Sequence, residues 1–176
     1  MRVMKVFCMT TRRMETMPIT KLKQYLDDNN IKYVTIHHSR AYTMQKAAEY
    51  AHISGKEVAK TVMVKIDGKM AMAVLPAPEH VDLDLLKGAA RAHSVEVAGE
   101  QEFKNLFPQC DVGAMPPFGN IYGMDVYVEE GLGEDEMIAF KAGSHEEMIE
   151  LAYKDFERLA GPKIVRLSTR YSVVTA

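Results

Sequence analysis

Cysteine is scarce in this 176-residue chain, with Cys8 and Cys110 the only two. They form no metal-ligand spacing, so no metal site is expected. With so few thiols, a reducing cytoplasm is the natural compartment. An excess of one charge is missing too. Lysine and arginine number 22 against 24 acidic residues, leaving a net charge of −2. No global basic field therefore draws the protein onto nucleic acid, and any such partner must be gripped locally. No apolar run reaches membrane-spanning length, which excludes a helical span and a membrane partner of that kind. Linkers, internal repeats and low-complexity stretches are also absent. The length suits one domain with a full core, and a hydrophobic content of 47% with 26% charged residues is ordinary for a globular protein.

The first seventeen residues, MRVMKVFCMTTRRMETM, stand apart. They are basic and lack both helical and strand periods. Their apolar stretch is too short and interrupted for a signal peptide. A disordered extension, or one read from an upstream start with Met14 or Met17 as the true beginning, is expected there; a basic nucleic-acid-contacting arm is the alternative. Residues 18–176 are expected to form a single domain.

Beyond that segment the chain alternates helix and strand signals. Leu22, Tyr25, Leu26 and Asn29 line one face of a helix over 20–30. IKYVTI (31–36) alternates and is β-branched, so it reads as a strand. Thr43 is a candidate N-cap for a helix over 44–53, closed by Ser54–Gly55. Strands at 60–66 and 69–75 flank Asp67–Gly68, a hairpin signal. Asp82 caps a helix over 83–92, SVEVA (94–98) is a short strand, and Pro108 stops a helix begun at Glu100. Residues 124–130 and 136–142 suggest a second hairpin around Gly131–Leu132–Gly133. Ser144 and Glu147 suggest a capping box. A helix over 145–160 would follow, with Met148, Leu151, Ala152 and Leu159 on its apolar face and Gly161–Pro162 at its end. KIVRLS (163–168) is a last strand. Such an order implies an α/β chain of the α+β type, with a mixed, largely antiparallel sheet surrounded by helices.

Three segments carry the functional signal. GAMPPFG (113–119) has two prolines that fix their φ angles and remove two donors, between glycines that admit unusual backbone geometry. It reads as a stiff loop presenting Phe118 at its end, either a ligand holder or a rigid turn. AKTVMVK (59–65) places Lys60 at the head of a strand. AGSHEEMIEL (142–151) places His145 just after Ser144. With the YTMQKAAEYA helix (42–51) upstream, the order and spacing of these segments resemble the YbaK/EbsC family, free-standing relatives of the prolyl-tRNA synthetase editing domain. The likeness runs over about residues 18–168. It implies that family's fold and the trans-editing hydrolysis of mischarged aminoacyl-tRNA, at the ester of the terminal adenosine; it does not say which amino acid, and a small one is expected. The implied partners are the 3′ end of a mischarged tRNA and, as an open second, an aminoacyl-tRNA synthetase. No cofactor is implied.

The same resemblance gives backbone N–H groups of the Gly113 loop and Lys60 the task of orienting the carbonyl and stabilising the oxyanion, while His145 aligns the terminal ribose. Read from the residues alone, Lys60 is either a solvated strand-end lysine or a cation at a pocket mouth. Thr61 follows on the opposite face. His145, at a helix start, would stay neutral and could bond a ribose hydroxyl or an attacking water. The substrate-binding set is completed by His38 and Tyr42 before the second helix, by Met115, Pro116, Pro117, Phe118 and Gly119 in the loop, and by Gly143 and Ser144. His37 and His38 face opposite sides and cannot share a metal. Cys110 reads as a small buried thiol. No GxSxG elbow surrounds Ser144, so it is not offered as a nucleophile. An activated ester needs a held water and a stabilised oxyanion more than a covalent nucleophile. Two other readings stay open: a non-catalytic aminoacyl-tRNA or nucleotide-binding regulator of the same fold, and a hydrolase of another small ester.

Overall fold

The computed structural model describes residues 18–108 and 110–169. The N-terminal extension anticipated over 1–17 lies outside the described residues. The chain begins with α1 (Pro18–Asp28), which buries Leu22 and Leu26 on one face. Strand β1 (Tyr33–His37) follows, then α2 (Met44–Ala51). The Thr43 hydroxyl accepts from Lys46 N at 3.3 Å, as a helix cap should. This helix stops earlier than Ser54–Gly55, because His52 turns into the left-handed region at φ 56° and closes it.

Strands β2 (Val58–Ile66) and β3 (Lys69–Pro76) form the expected hairpin. Asp67 and Gly68 both have positive φ, 48° and 79°, which matches the twist of a two-residue turn. Next come β4 (His80–Val81), α3 (Leu83–Ala90), β5 (Val95–Val97) and the short α4 (Glu100–Phe103), which tightens into a 3₁₀ turn over Lys104–Leu106. Asp82 caps α3 by accepting from Asp84 N and Leu85 N, each at 3.0 Å.

Two expectations fail in the second half. Strands β6 (Asp125–Glu129) and β7 (Met137–Lys141) exist but do not pair with each other. A 3₁₀ segment, Glu130–Glu134, carries the chain away instead of turning it back. β6 then pairs with β3, while β7 pairs with β2, both in parallel. The helix expected over 145–160 is in fact β8 (Glu147–Ala152) followed by α5 (Tyr153–Ala160). β8 lies between β1 and β7, so Met148, Ile149 and Leu151 are all fully buried, on both faces of the sheet. A strand covered on both sides loses its alternation and cannot be told from a helix by period. The Ser144–Glu147 capping box therefore has no helix to cap; Ser144 Oγ instead accepts from Glu146 N at 3.3 Å in a local turn. Gly161 does close α5, donating to Glu157 O at 3.0 Å.

Strand β9 (Lys163–Val165) and a short β10 (Ser168–Thr169) finish the described chain. The main sheet runs β1-β8-β7-β2-β3-β6-β9, with β5 added to β2, and β10 pairs with β4 separately. Within the main sheet four strand pairs are antiparallel and three parallel, and the separate β10–β4 pair is antiparallel, so the mixed, mostly antiparallel arrangement is as expected. One face carries the larger core, including Leu22, Leu26, Phe118, Phe140 and Phe156. The other is covered in part by α2, over Val58, Ala77, Ala139 and Met148. No helix among the described residues is long and apolar enough to cross a membrane.

Candidate active site

The parallel register of β2 and β7 sets the site. Val58 pairs with Ala139 and Ala59 with Phe140. Lys60 and Lys141 are each one residue further on, and strand alternation puts both on the α2 face with Val58 and Ala139. Two lysines thus stand side by side at the end of this ladder. Lys60 is partly buried and donates from Nζ to Ala77 O at 3.1 Å. Burial lowers its pKa from the ordinary lysine value, while the nearby Glu79 carboxylate opposes that shift. Thr61, as expected, takes the other face, alongside Ala59 and Met63 of the larger core. The structure therefore separates Thr61 from Lys60.

Lys141 was not singled out in the sequence, yet its side chain is among the most buried, at 2% exposure. Its Nζ donates to Ala41 O at 2.8 Å and Tyr42 O at 3.1 Å, and lies 3.1 Å from His145 Nδ1. Burial pulls its pKa down to about 8, with Asp111 resisting. The available signal was a lysine closing the apolar run Ile138–Ala139–Phe140 of a buried strand.

His145 does not start a helix. It sits buried in the turn between β7 and β8. Its backbone N–H donates to Asp111 Oδ2 at 3.1 Å, and its carbonyl accepts from Ala41 N at 2.9 Å. The Tyr42 ring packs against the imidazole with centroids 5.0 Å apart, and Arg40 lies over Tyr42. The expected neutral imidazole is retained, for another reason than a helix end. Burial lowers its pKa first, and the Lys141 charge lowers it further; Asp111 and a hydrogen bond to the Val112 backbone act the other way.

The loop before Pro116 closes the site. Asp111 N donates to Gly143 O, Gly143 N to Ala114 O, and Ala114 N to Asp111 O, each at 2.9 Å. These bonds bind the 111–114 turn to the end of β7. Gly113 is exposed with φ 81°, and a Cβ there would stand 4.0 Å from His145 Cε1. Among the described residues its N–H has no hydrogen-bond partner. Gly143, also at positive φ (100°), brings the second strand of this contact to the loop.

The rest of the loop serves the core. Phe118 is not presented at the loop's end: it is fully buried and meets Tyr25, Phe140 and Phe156 edge-on. Met115 joins the same cluster, and Pro116 and Pro117 are buried beside it. Gly119 is required by packing, since a Cβ there would lie 2.9 Å from Val126 Cγ2 and 3.0 Å from Met124 O. The structure thus brings Lys60, Tyr42, Gly113, Gly143, Ser144 and His145 to one end of the sheet, and draws Phe118 and Gly119 inward. His38 lies on the adjoining segment, where its N–H donates to Glu146 O at 3.0 Å and its Nδ1 is 2.7 Å from Ser39 O. Asp111 and Arg40, 3.9 Å apart at the rim, were also missed. Cys110 is partly buried, and burial pushes its thiol up to about 12, far from a thiolate nucleophile.

The arrangement offers two cations, a neutral imidazole and a loop amide, without an activated serine or cysteine. No curated protein sequence matches the chain. Solved structures do. The fold is similar to that of the hypothetical protein APE2540, with a TM-score of 0.76 at 18% identity over 85% of this chain and 99% of that one. It is similar to a candidate trans-editing enzyme for prolyl tRNA synthetase, with a TM-score of 0.74 at 16% identity over 86% and 97%. It also resembles part of a signal transduction protein, so assigned provisionally, from Marinobacter aquaeolei VT8, with a TM-score of 0.66 at 15% identity over 85% of this chain and 30% of that one. Residues 38–159 match the aminoacyl-tRNA editing domain, a span that begins at His38 and takes in Lys60, Gly113, Lys141 and His145. On that match the chain belongs to the aminoacyl-tRNA editing domain family.

Proposed function

We propose that this protein is a trans-acting deacylase that hydrolyses the ester between a small amino acid and the terminal adenosine of a mischarged tRNA. The observation that carries the reading is the meeting of Lys60, neutral His145 and the Gly113 N–H, unpartnered among the described residues, at one end of the sheet. An aminoacyl ester is already activated, so positioning and oxyanion stabilisation can supply most of the rate. Lys60 and the Gly113 amide face the carbonyl oxygen as charge builds on it. His145 bonds the ribose hydroxyl or the attacking water. A preference for small side chains is part of the proposal, since pocket size discriminates by only about 1–3 kcal/mol per methylene. The tRNA is held by local cations such as Arg40, since the chain has no net positive charge. Such a substrate belongs to the cytoplasm.

The test is a deacylation screen over tRNAs mischarged with Ala, Ser, Cys and Thr. Turnover of at least one is expected, and Lys60→Ala should reduce it by about two orders of magnitude while the protein stays folded. Tight binding without turnover would instead make the protein a regulator of the same fold. Wild-type rates in a folded Lys60→Ala variant would remove Lys60 from the chemistry.

A further inference from the structure

We infer that Lys141 is a positioning residue, which fixes His145 in its Nε2–H tautomer and ties the imidazole to the Tyr42 segment. The inference rests on the deacylase reading for its kinetic consequence, though not for its structural one.

The argument is a count of donors and acceptors. A lysine ammonium has three N–H donors and no acceptor. Lys141 Nζ has three neighbours at bonding distance: Ala41 O, Tyr42 O and His145 Nδ1. All three donors are spent, and the third can be spent only if Nδ1 offers a lone pair. The ring proton then belongs on Nε2. The Val112 backbone, next to Gly113, also favours the proton-bearing ring, although burial and the Lys141 charge outweigh it. The reverse tautomer would aim two donors at each other across 3.1 Å.

The same ammonium gathers three separate pieces of chain. It leaves β7 from beneath the sheet surface, ties down the carbonyls of residues 41 and 42, and braces the imidazole against which Tyr42 packs. Asp111 completes the frame from the other side by accepting the His145 backbone N–H. Lys141 is too buried to meet a tRNA phosphate, and its donors are already engaged. Its charge therefore reaches the reaction through His145, unlike that of Lys60, whose single hydrogen bond among the described residues, to Ala77 O, leaves donors to offer.

Nitrogen-15 NMR of the histidine rings near pH 7.5 tests this directly, with His145 assigned by the signal lost in His145→Gln. The expected wild-type spectrum shows Nε2 protonated and Nδ1 as an acceptor. Lys141→Met should shift His145 toward the Nδ1–H form or a mixture. Its kcat on mischarged tRNA should fall about tenfold or more while KM changes little. In a His145→Gln background the same substitution should cost much less than it does alone. An Nδ1–H tautomer in the wild type would overturn the inference, even if Lys141→Met does not fold. So would an unchanged His145 spectrum in folded Lys141→Met, or a full additive loss on His145→Gln. If the wild type turns over no mischarged tRNA, the deacylase reading fails while the NMR result still decides the role of Lys141.

Discussion

Gly113 shows how much can depend on one missing side chain. Its φ of 81° is unfavourable for any other residue, and its Cβ direction points at His145. In the proposed deacylase, the absent side chain leaves the loop amide open to the substrate. Gly113→Val is expected to fold, weakened by about 1–3 kcal/mol from backbone strain. Its deacylation should be lost almost entirely, since the new methyl groups occupy the mouth of the site. Parallel melting and activity curves would check this. Activity that merely tracks unfolding would reduce the loop to a rigid turn.

At the scale of elements, the GAMPPFG loop has two halves with different tasks. Residues 111–114 bond to β7 and shape the site, whereas Met115–Phe118 fill the core. Phe118 touches three rings from α1, β7 and α5, so it anchors the loop to both helices on that face. Phe118→Ala should cost about 3–5 kcal/mol, as for large buried aromatics, and show as a lowered denaturant midpoint. Pro117→Ala should be milder, because it removes far less buried volume than Phe118→Ala and otherwise adds unfolded-state entropy. Similar losses for the two variants would mean that Phe118 is not the anchor.

For the molecule as a whole, Lys141 makes global stability depend on pH in an unusual direction. Its folded pKa is about 8, against 10.5 for an ordinary lysine. Between those values the unfolded chain binds more protons than the folded one. Stability linked to this group therefore rises as pH climbs from 8 toward 10.5, by roughly 3 kcal/mol at most. Below pH 8 both states are protonated, and the cost of the buried charge is fully present. The difference between wild type and Lys141→Met, measured by urea unfolding across that range, isolates the effect from tyrosine titration. A constant difference would show that Lys141 keeps an ordinary pKa in the folded protein.

Sequence by itself determined the local elements with their own chemical marks. Thr43 and Asp82 mark helix starts, Asp67–Gly68 marks a hairpin, and Gly161 marks a helix end; each acts within a few residues, and each is found in place. The motifs Lys60–Thr61, GAMPPFG and GSH, taken in order, likewise led to the family. Tertiary structure alone decided the rest. Glu147–Ala152 became a strand because β1 and β7 cover both its edges and the core covers both its faces. Strands β6 and β7 found parallel partners far along the chain because a 3₁₀ segment parted them. Phe118 turned inward because three aromatic rings await it there. Lys141 was hidden for the same reason: its importance lies in Ala41 and Tyr42, about a hundred residues away, and in a neighbour whose tautomer it sets. Short-range signals survive in a linear sequence because their partners are adjacent. The pairing of distant strands, and the burial of a charge between them, exists only once the sheet has formed.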